Sequence, residues 1–342
     1  MPRPLRTLWG TRPAIYSRPL WTLLVALDVL PWPWGEDILA ALFAAVGLVR
    51  GTRRRTVMAW AAQQSGRRDI RLAAAVSAFR GRWVARSALL GVRRPEDFRR
   101  HVAVVGEERL AEAPGPTILL GFHLGPPNAD VALRILGHPM AWLGTTRLAP
   151  AWSREPWRSF LDPRENLSPP DDEWFWPGYL YRARRMLLDG GTLFIMADSW
   201  VGRELFRVPL PGGPAVIRSG WLTLRRQTGA RVVPVSTHLE GRTQIITVHP
   251  PLPEPRDGDD DAPDRWRAIV SELMADYLRR FPDQCPVLAF PPTVLVRTRP
   301  RPDPSPPGNA EPAPPSAVPA PGGADERDDP PLGAETVRRG SP

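Results

Sequence analysis

Lysine is absent from this chain: the 45 basic residues are all arginine, set against 36 acidic residues for a net charge of +9. Without lysine there is no Gly-x-x-x-x-Gly-Lys phosphate loop. Arginine here also fills the ordinary solvating roles of lysine, so no single arginine marks a binding site. Cysteine occurs once, at Cys285, which excludes an intrachain disulfide framework and a multi-cysteine metal site. The five histidines have no ligand-like spacing, so metal catalysis has no support. No Gly-x-Ser-x-Gly elbow is present, which removes the nucleophile of that class of hydrolase. No apolar run reaches the ~18–20 residues that a membrane-spanning helix needs. Nucleic-acid motifs and aromatic-basic repeats are also missing. The positive balance therefore points to a membrane surface or an anionic substrate, and no nucleic-acid partner is expected.

What is present is enough apolar residue, 42% of 342, for one large core or two. Near the N-terminus two apolar stretches, 19–34 and 38–49, carry Trp21, Trp32 and Trp34. Arg12 and Arg18 flank them on one side, Arg50, Arg53, Arg54 and Arg55 on the other. An apolar face with interfacial tryptophan and basic flanks is the pattern of a segment lying in a membrane surface. A buried helical hairpin packed on the main domain is the alternative. No small-residue cleavage pattern follows, so a secretory leader is not expected.

Further along, periodicity gives helices over 56–91 and 95–113 and a strand at 116–120. A short strand at 139–144 follows, then a Trp- and Pro-rich excursion over 150–178. Next come a helix at 179–188, a strand at 192–197 ending at Asp198, and a helix at 215–227. Strands at 231–236 and 244–248 and a helix at 265–281 complete the pattern. Strands alternating with helices predict an α/β fold with a mostly parallel central sheet flanked by helices. Three regions are expected: a membrane-associating helical segment over 1–55, an α/β domain over 56–296, and a disordered Pro-rich tail over 297–342.

The stretch Gly121-Phe122-His123-Leu124-Gly125-Pro126-Pro127-Asn128-Ala129-Asp130 sets a histidine at the end of a strand and ahead of a helix. Tandem prolines suit a first helical turn, where a missing N–H costs nothing. The C-terminal edge of an α/β sheet is where ligands usually bind.

Four blocks in order carry a resemblance. They are His123-x-Gly125 opening a helix, Thr145-Thr146-Arg147 after the next strand, Leu187 through Gly213, and Gly220 through Pro234 with Phe281-Pro282-Asp283-Gln284 beyond. Over roughly 20–290 the chain resembles the lysophospholipid acyltransferase superfamily, and is most similar to its lipid A biosynthesis (lauroyl/myristoyl) branch. The resemblance implies a bacterial enzyme of lipid biosynthesis at the cytoplasmic face of the cell membrane. It implies an O-acyltransferase moving a fatty acyl chain from acyl carrier protein or CoA to a hydroxyl of a lipid or glycolipid. The thioester is a co-substrate, and no bound cofactor or metal is implied.

In that reading His123 is the general base, since imidazole titrates near 6.5 and takes the hydroxyl proton as the bond forms. Gly125, Arg147, Asp198 and Arg207 are the substrate-side candidates. Arg147 holds a phosphate or carrier group, or is solvated; Asp198 lines the substrate or caps a turn. The resemblance places an acid five residues after the histidine, and this chain has Asn128 there. The Asn128 carbonyl is one candidate partner of the imidazole, and Asp130, two residues on, is the other. A rotation of roughly 200° separates them on a regular helix. The competing expectation is an acyltransferase-like protein that binds lipid or a partner without catalysis. Oligomeric state is open.

Overall fold

The computed structural model describes residues 22–23, 26–27, 30–89, 99–111, 115–126, 128–143, 177–198, 202–211, 213–254 and 262–285. The chain divides into a unit over Met1–Pro292 and a second over Thr293–Pro342; every described residue belongs to the first. The expected disordered tail, residues 150–176 of the expected 150–178 excursion, and Arg147 lie outside the described residues; 177–178 are helical.

Among the described residues, after helical positions at 22–23 and 26–27, come α1 (Trp32–Val49), α2 (Gly51–Ser65) and α3 (Ile70–Leu89). The α/β part follows as β1 (Val102–Val105), α4 (Glu108–Ala111), β2 (Thr117–Gly121), α5 (Ala129–Ile135), β3 (Ala141–Leu143), α6 (Pro177–Leu188) and β4 (Thr192–Met196). It continues through β5 (Glu204–Val208), β6 (Ala215–Arg218), α7 (Gly220–Thr228), β7 (Arg231–Glu240), β8 (Thr243–Val248) and α8 (Ala262–Arg280). Six strands form one sheet in the order β1-β8-β7-β2-β4-β3, and β5 pairs with β6 separately. Within the large sheet only β7 with β8 is antiparallel; the other pairings are parallel.

Why the central strands sit where they do follows from their composition. Thr117–Gly121 is buried at every position, as a strand covered on both faces must be. Its side chains alternate between two cores. Ile118 and Leu120 join Leu193, Val232, Trp221 and Trp266 on one face. Leu119 joins Phe194, Val233, Val235, Val131 and Leu39 on the other.

Two expected helices are corrected. The 95–113 segment contains β1: Val102-Ala103-Val104-Val105 is rich in β-branched residues and pairs with β8. In the 215–227 segment only Gly220–Thr228 is helical; Ala215–Arg218 is a strand, because it pairs antiparallel with a β5 that has no separate signal in the periodicity.

The expected boundary after residue 55 falls inside α2, and the N-terminal helices share the cores of the α/β domain. Leu39 of α1 is fully buried with sheet residues, and on α3 a side chain at Gly81 would collide with the Leu39 carbonyl. Glu36 and Arg86 form an ion pair at 2.9 Å with side chains 3% and 0% exposed. Arg86 also donates to the Arg242 carbonyl in the β7–β8 turn at 2.6 Å. Burial pushes the Glu36 carboxyl up and the Arg86 guanidinium down, each against the pull of its partner. The opposite face of α1 is apolar and uncovered: Trp34, Ile38, Leu42 and Val49 are exposed. Among the described residues no helix is long and apolar enough to cross a membrane.

The histidine just past the end of β8 sets one pH dependence. His249 Nε2 lies 2.8 Å from Ser236 Oγ, and burial, helped by the Arg109 charge, pushes its pKa down to about 4. The folded chain therefore keeps this imidazole neutral over a range in which the unfolded chain, titrating near 6.5, binds a proton. Stability from this group is complete above about pH 6.5 and is lost as pH falls towards about 4. Urea titrations from pH 7 to 4.5 should show that decline in wild type, and His249→Gln should flatten it. An unchanged slope in the variant would exclude His249 as its source.

Candidate functional site

The register of the sheet assembles the site. β2 lies between β7 and β4, and its last residue, Gly121, is opposite Met196 of β4. The Ala197 N–H donates to the Gly121 carbonyl at 2.9 Å, which carries the pairing one step past the strands. His123 and Asp198 are each two residues beyond those paired ends. Parallel strands in register therefore bring them face to face at the C-terminal edge of the sheet.

The contact is close and nearly sealed. His123 Nδ1 is 2.8 Å from Asp198 Oδ1, with side chains 11% and 6% exposed. The backbone N–H of His123 donates to the same carboxylate, at 2.9 Å to Oδ2 and 3.2 Å to Oδ1. A carboxylate only accepts, so Nδ1 carries the hydrogen and the lone pair of the ring is on Nε2. One side chain thus sets both the backbone position of His123 and the tautomer of its ring.

The other residues expected at the site are placed as follows. Asn128 is fully buried, and its Oδ1 accepts from Gln244 Nε2 at 3.1 Å. The imidazole's partner is therefore Asp198 and not the residue five positions on. Asn128 Nδ2 and Gln244 Oε1 are buried without a hydrogen-bond partner among the described residues. Asp130 is on the first turn of α5, and burial pushes its carboxyl up against the opposing charge of Arg134. Asp198 takes the ring nitrogen that Asp130 was a candidate for.

α5 begins at Ala129. Pro126 thus lies in the loop ahead of the helix, not in its first turn, and the helix N-terminus is displaced along the chain from His123. Arg207, in the middle of β5, is exposed and held by Glu204 at 2.8 and 3.1 Å. That pairing is with a residue of its own strand, not with the His123–Asp198 pair.

Gly125 has φ +73°, and a side chain there would collide with the Thr237 carbonyl. Both conditions require glycine. Its N–H donates to the Gln284 carbonyl at 2.8 Å. The Thr237 hydroxyl donates to the Pro126 carbonyl at 2.6 Å and lies 3.3 Å from that of Leu124. Thr237, Gln244 and Tyr277, whose hydroxyl donates to the Thr237 carbonyl at 2.6 Å, have no sequence signal that links them to His123. Gln284 had one, as the end of Phe281-Pro282-Asp283-Gln284. Among the described residues no group of three or more His, Cys, Asp or Glu side chains is placed to hold a metal ion.

No protein-family profile matches the chain, and no curated protein matches it. Among solved structures, the chain is similar to the crystal structure of the 1-acyl-sn-glycerophosphate (LPA) acyltransferase, PlsC, from Thermotoga maritima. The two align over 74% of this chain and 97% of that one, with 15% sequence identity and a TM-score of 0.37.

Proposed function

We propose that the chain is an O-acyltransferase. It moves a fatty acyl group from a thioester carrier, acyl carrier protein or CoA, to a hydroxyl of a lipid or glycolipid. The observation that carries this reading is the His123 Nδ1–Asp198 Oδ1 contact of 2.8 Å at the C-terminal edge of the sheet. The four ordered sequence blocks give it its reaction class, and the lipid A-like branch within that class rests on them alone.

A hydroxyl is a poor nucleophile near neutral pH. His123 Nε2 takes its proton as the oxygen bonds to the thioester carbonyl carbon. Asp198, holding Nδ1–H, stabilises the imidazolium that forms. When the tetrahedral intermediate collapses, the carbon–sulfur bond breaks and the imidazolium returns the proton to the leaving thiolate. Ester and free thiol are the products, and His123 is restored. The alternative, a non-catalytic lipid- or partner-binding protein, rests on the missing acid at position 128; Asp198, just past β4, offers a carboxylate in its place. The test is purified protein in lipid vesicles with acyl-CoA or acyl carrier protein thioesters, following free thiol and acylated lipid by mass spectrometry. Comparing lipids of cells with and without the gene identifies the acceptor. Absence of thiol release with either carrier, across lipid and glycolipid acceptors, would reject the reading.

The acceptor and the acyl chain are both membrane-borne in this scheme, and α1 offers the contact surface. Trp34, Ile38, Leu42 and Val49 are exposed along one side of the helix, and Arg50, Arg54 and Arg55 are exposed just beyond it. Ile38→Glu with Leu42→Glu should weaken vesicle flotation by about tenfold or more, since burying one such side chain is worth roughly 1.5–3 kcal/mol. Both sites face solvent, so the thermal midpoint should not move. Molar salt should remove only part of the wild-type protein, because apolar insertion is not screened; complete release by salt would contradict the apolar contact.

A further inference from the structure

Strand β7 outruns its neighbour, and the surplus has to be accounted for. β7 continues to Glu240, whereas β2 stops at Gly121, opposite Val235. On the other side β7 keeps β8 as a partner to its end. The His249 N–H donates to the Pro234 carbonyl, so even-numbered residues of β7 bond towards β8. Odd-numbered residues beyond 235 then direct N–H and C=O towards the space that β2 leaves when it turns away as the His123 loop. Buried backbone groups in such a gap need replacement partners.

Two side chains fill it. The Tyr277 hydroxyl donates to the Thr237 carbonyl at 2.6 Å. The Gln284 amide takes both groups of the next odd residue. Its Oε1 accepts from the Leu239 N–H at 2.7 Å, and its Nε2 donates to the Leu239 carbonyl at 2.9 Å. Gln284 is 8% exposed. Its side chain is thus a one-residue substitute for the missing strand. At the same time its backbone carbonyl accepts the N–H of Gly125, two residues after His123, at 2.8 Å. The segment is backed by α2, where Trp60 Nε1 donates to the Pro282 carbonyl at 3.0 Å.

From this geometry we propose that Gln284 is a positioning residue for acyl transfer, an inference that rests on the acyltransferase reading. Anchored to β7 by its side chain, it fixes by its carbonyl where the His123 loop sits. Asp198 fixes the ring and backbone of His123 from the β4 side, and Gln284 fixes the loop from the β7 side. A catalytic group held from one side only can drift, and about 1 Å of misplacement can cost on the order of 100-fold in rate. Gln284 itself touches no reacting atom.

The test uses full-length protein with Gln284→Met, which keeps the length and loses both hydrogen bonds. A second variant, Gln284→Glu, keeps an acceptor for Leu239 N–H and loses the donor. Amide hydrogen exchange reads the loop without reference to activity. The Gly125 amide should lose protection by about tenfold or more in Gln284→Met, less in Gln284→Glu, while amides of Thr192–Met196 keep theirs. Steady-state kinetics should show kcat lowered by about 10–100-fold in Gln284→Met, with KM for the thioester within about twofold and Gln284→Glu between the two. Unchanged Gly125 exchange would overturn the proposal. So would loss of protection spread equally through β4, which marks a general structural role, or a released Gly125 with unchanged kcat. If wild-type protein transfers no acyl group, the acyltransferase reading fails on that result alone, and the exchange data still decide whether Gln284 holds the loop.

Discussion

Asp198→Asn should lower acyl transfer by about 10²–10⁴-fold with the fold intact, close to the loss expected from His123→Ala. The carboxylate at 2.8 Å from Nδ1 also accepts the His123 backbone N–H. Asparagine at 198 has one acceptor oxygen for these two donors, and its amide nitrogen brings a third donor. If the oxygen stays with the backbone, the amide N–H faces Nδ1. That selects the tautomer with the hydrogen on Nε2, the atom that has to receive the substrate proton. The negative charge that stabilises the imidazolium is lost as well. Because the two residues act as one unit, the double variant should be no slower than His123→Ala alone. Circular dichroism and the thermal midpoint establish folding, and thiol release measures rate. Activity of folded Asp198→Asn within threefold of wild type would remove Asp198 from the mechanism.

The second large effect runs against what the sequence motif suggests. Spacing alone nominates Asn128→Asp as the change that restores an acid to the histidine and keeps or raises activity. In the fold, residue 128 is sealed from solvent and its oxygen already accepts from Gln244. Asp130, itself buried with its carboxyl pushed up, is two residues away. A second carboxylate there would be desolvated and supported by one amide donor. Such a group costs about 2–4 kcal/mol.

The sign with pH follows. Burial raises the folded pKa of the new acid above its unfolded value, so the deficit is small at pH 4 and grows as pH rises through the folded pKa. Urea unfolding of Asn128→Asp at pH 7 and pH 5 should show the larger loss at pH 7, with no gain in rate at either pH. A variant as stable as wild type and faster would mean that residue 128 reaches His123 after all.

These two cases show what the sequence made legible and where it stopped. The β2 and β4 strands were plain as short apolar runs with punctuating glycine and proline, and so were His123 and Asp198 at their ends. The pairing of the two ends was not. It depends on β4 lying between β2 and β3 in the sheet, an order that neither run specifies. Local spacing made Asn128 and Asp130 the visible partners of His123, yet Asn128 is bonded to Gln244 and the imidazole to Asp198. β1 was hidden because its partner, β8, is more than 130 residues away in the chain. β6 was hidden because it is only four residues long and is followed after one residue by α7. The short motif at 281–284 was visible, but its use was not, because the gap it fills exists only once β7 is seen to outrun β2.

That gap has a consequence for the order in which the protein becomes competent during synthesis. The histidine is joined to its acid across 75 positions. The loop carrying it then waits for a residue that pairs with β7 across a further 45. A ribosome that has delivered the chain through β8 has made every strand of the large sheet and both halves of the dyad, but not the residue that holds the loop from the far side. The last hydrogen bonds close only after α8 has emerged and docked. Truncations short of residue 284 should therefore yield folded strands without turnover.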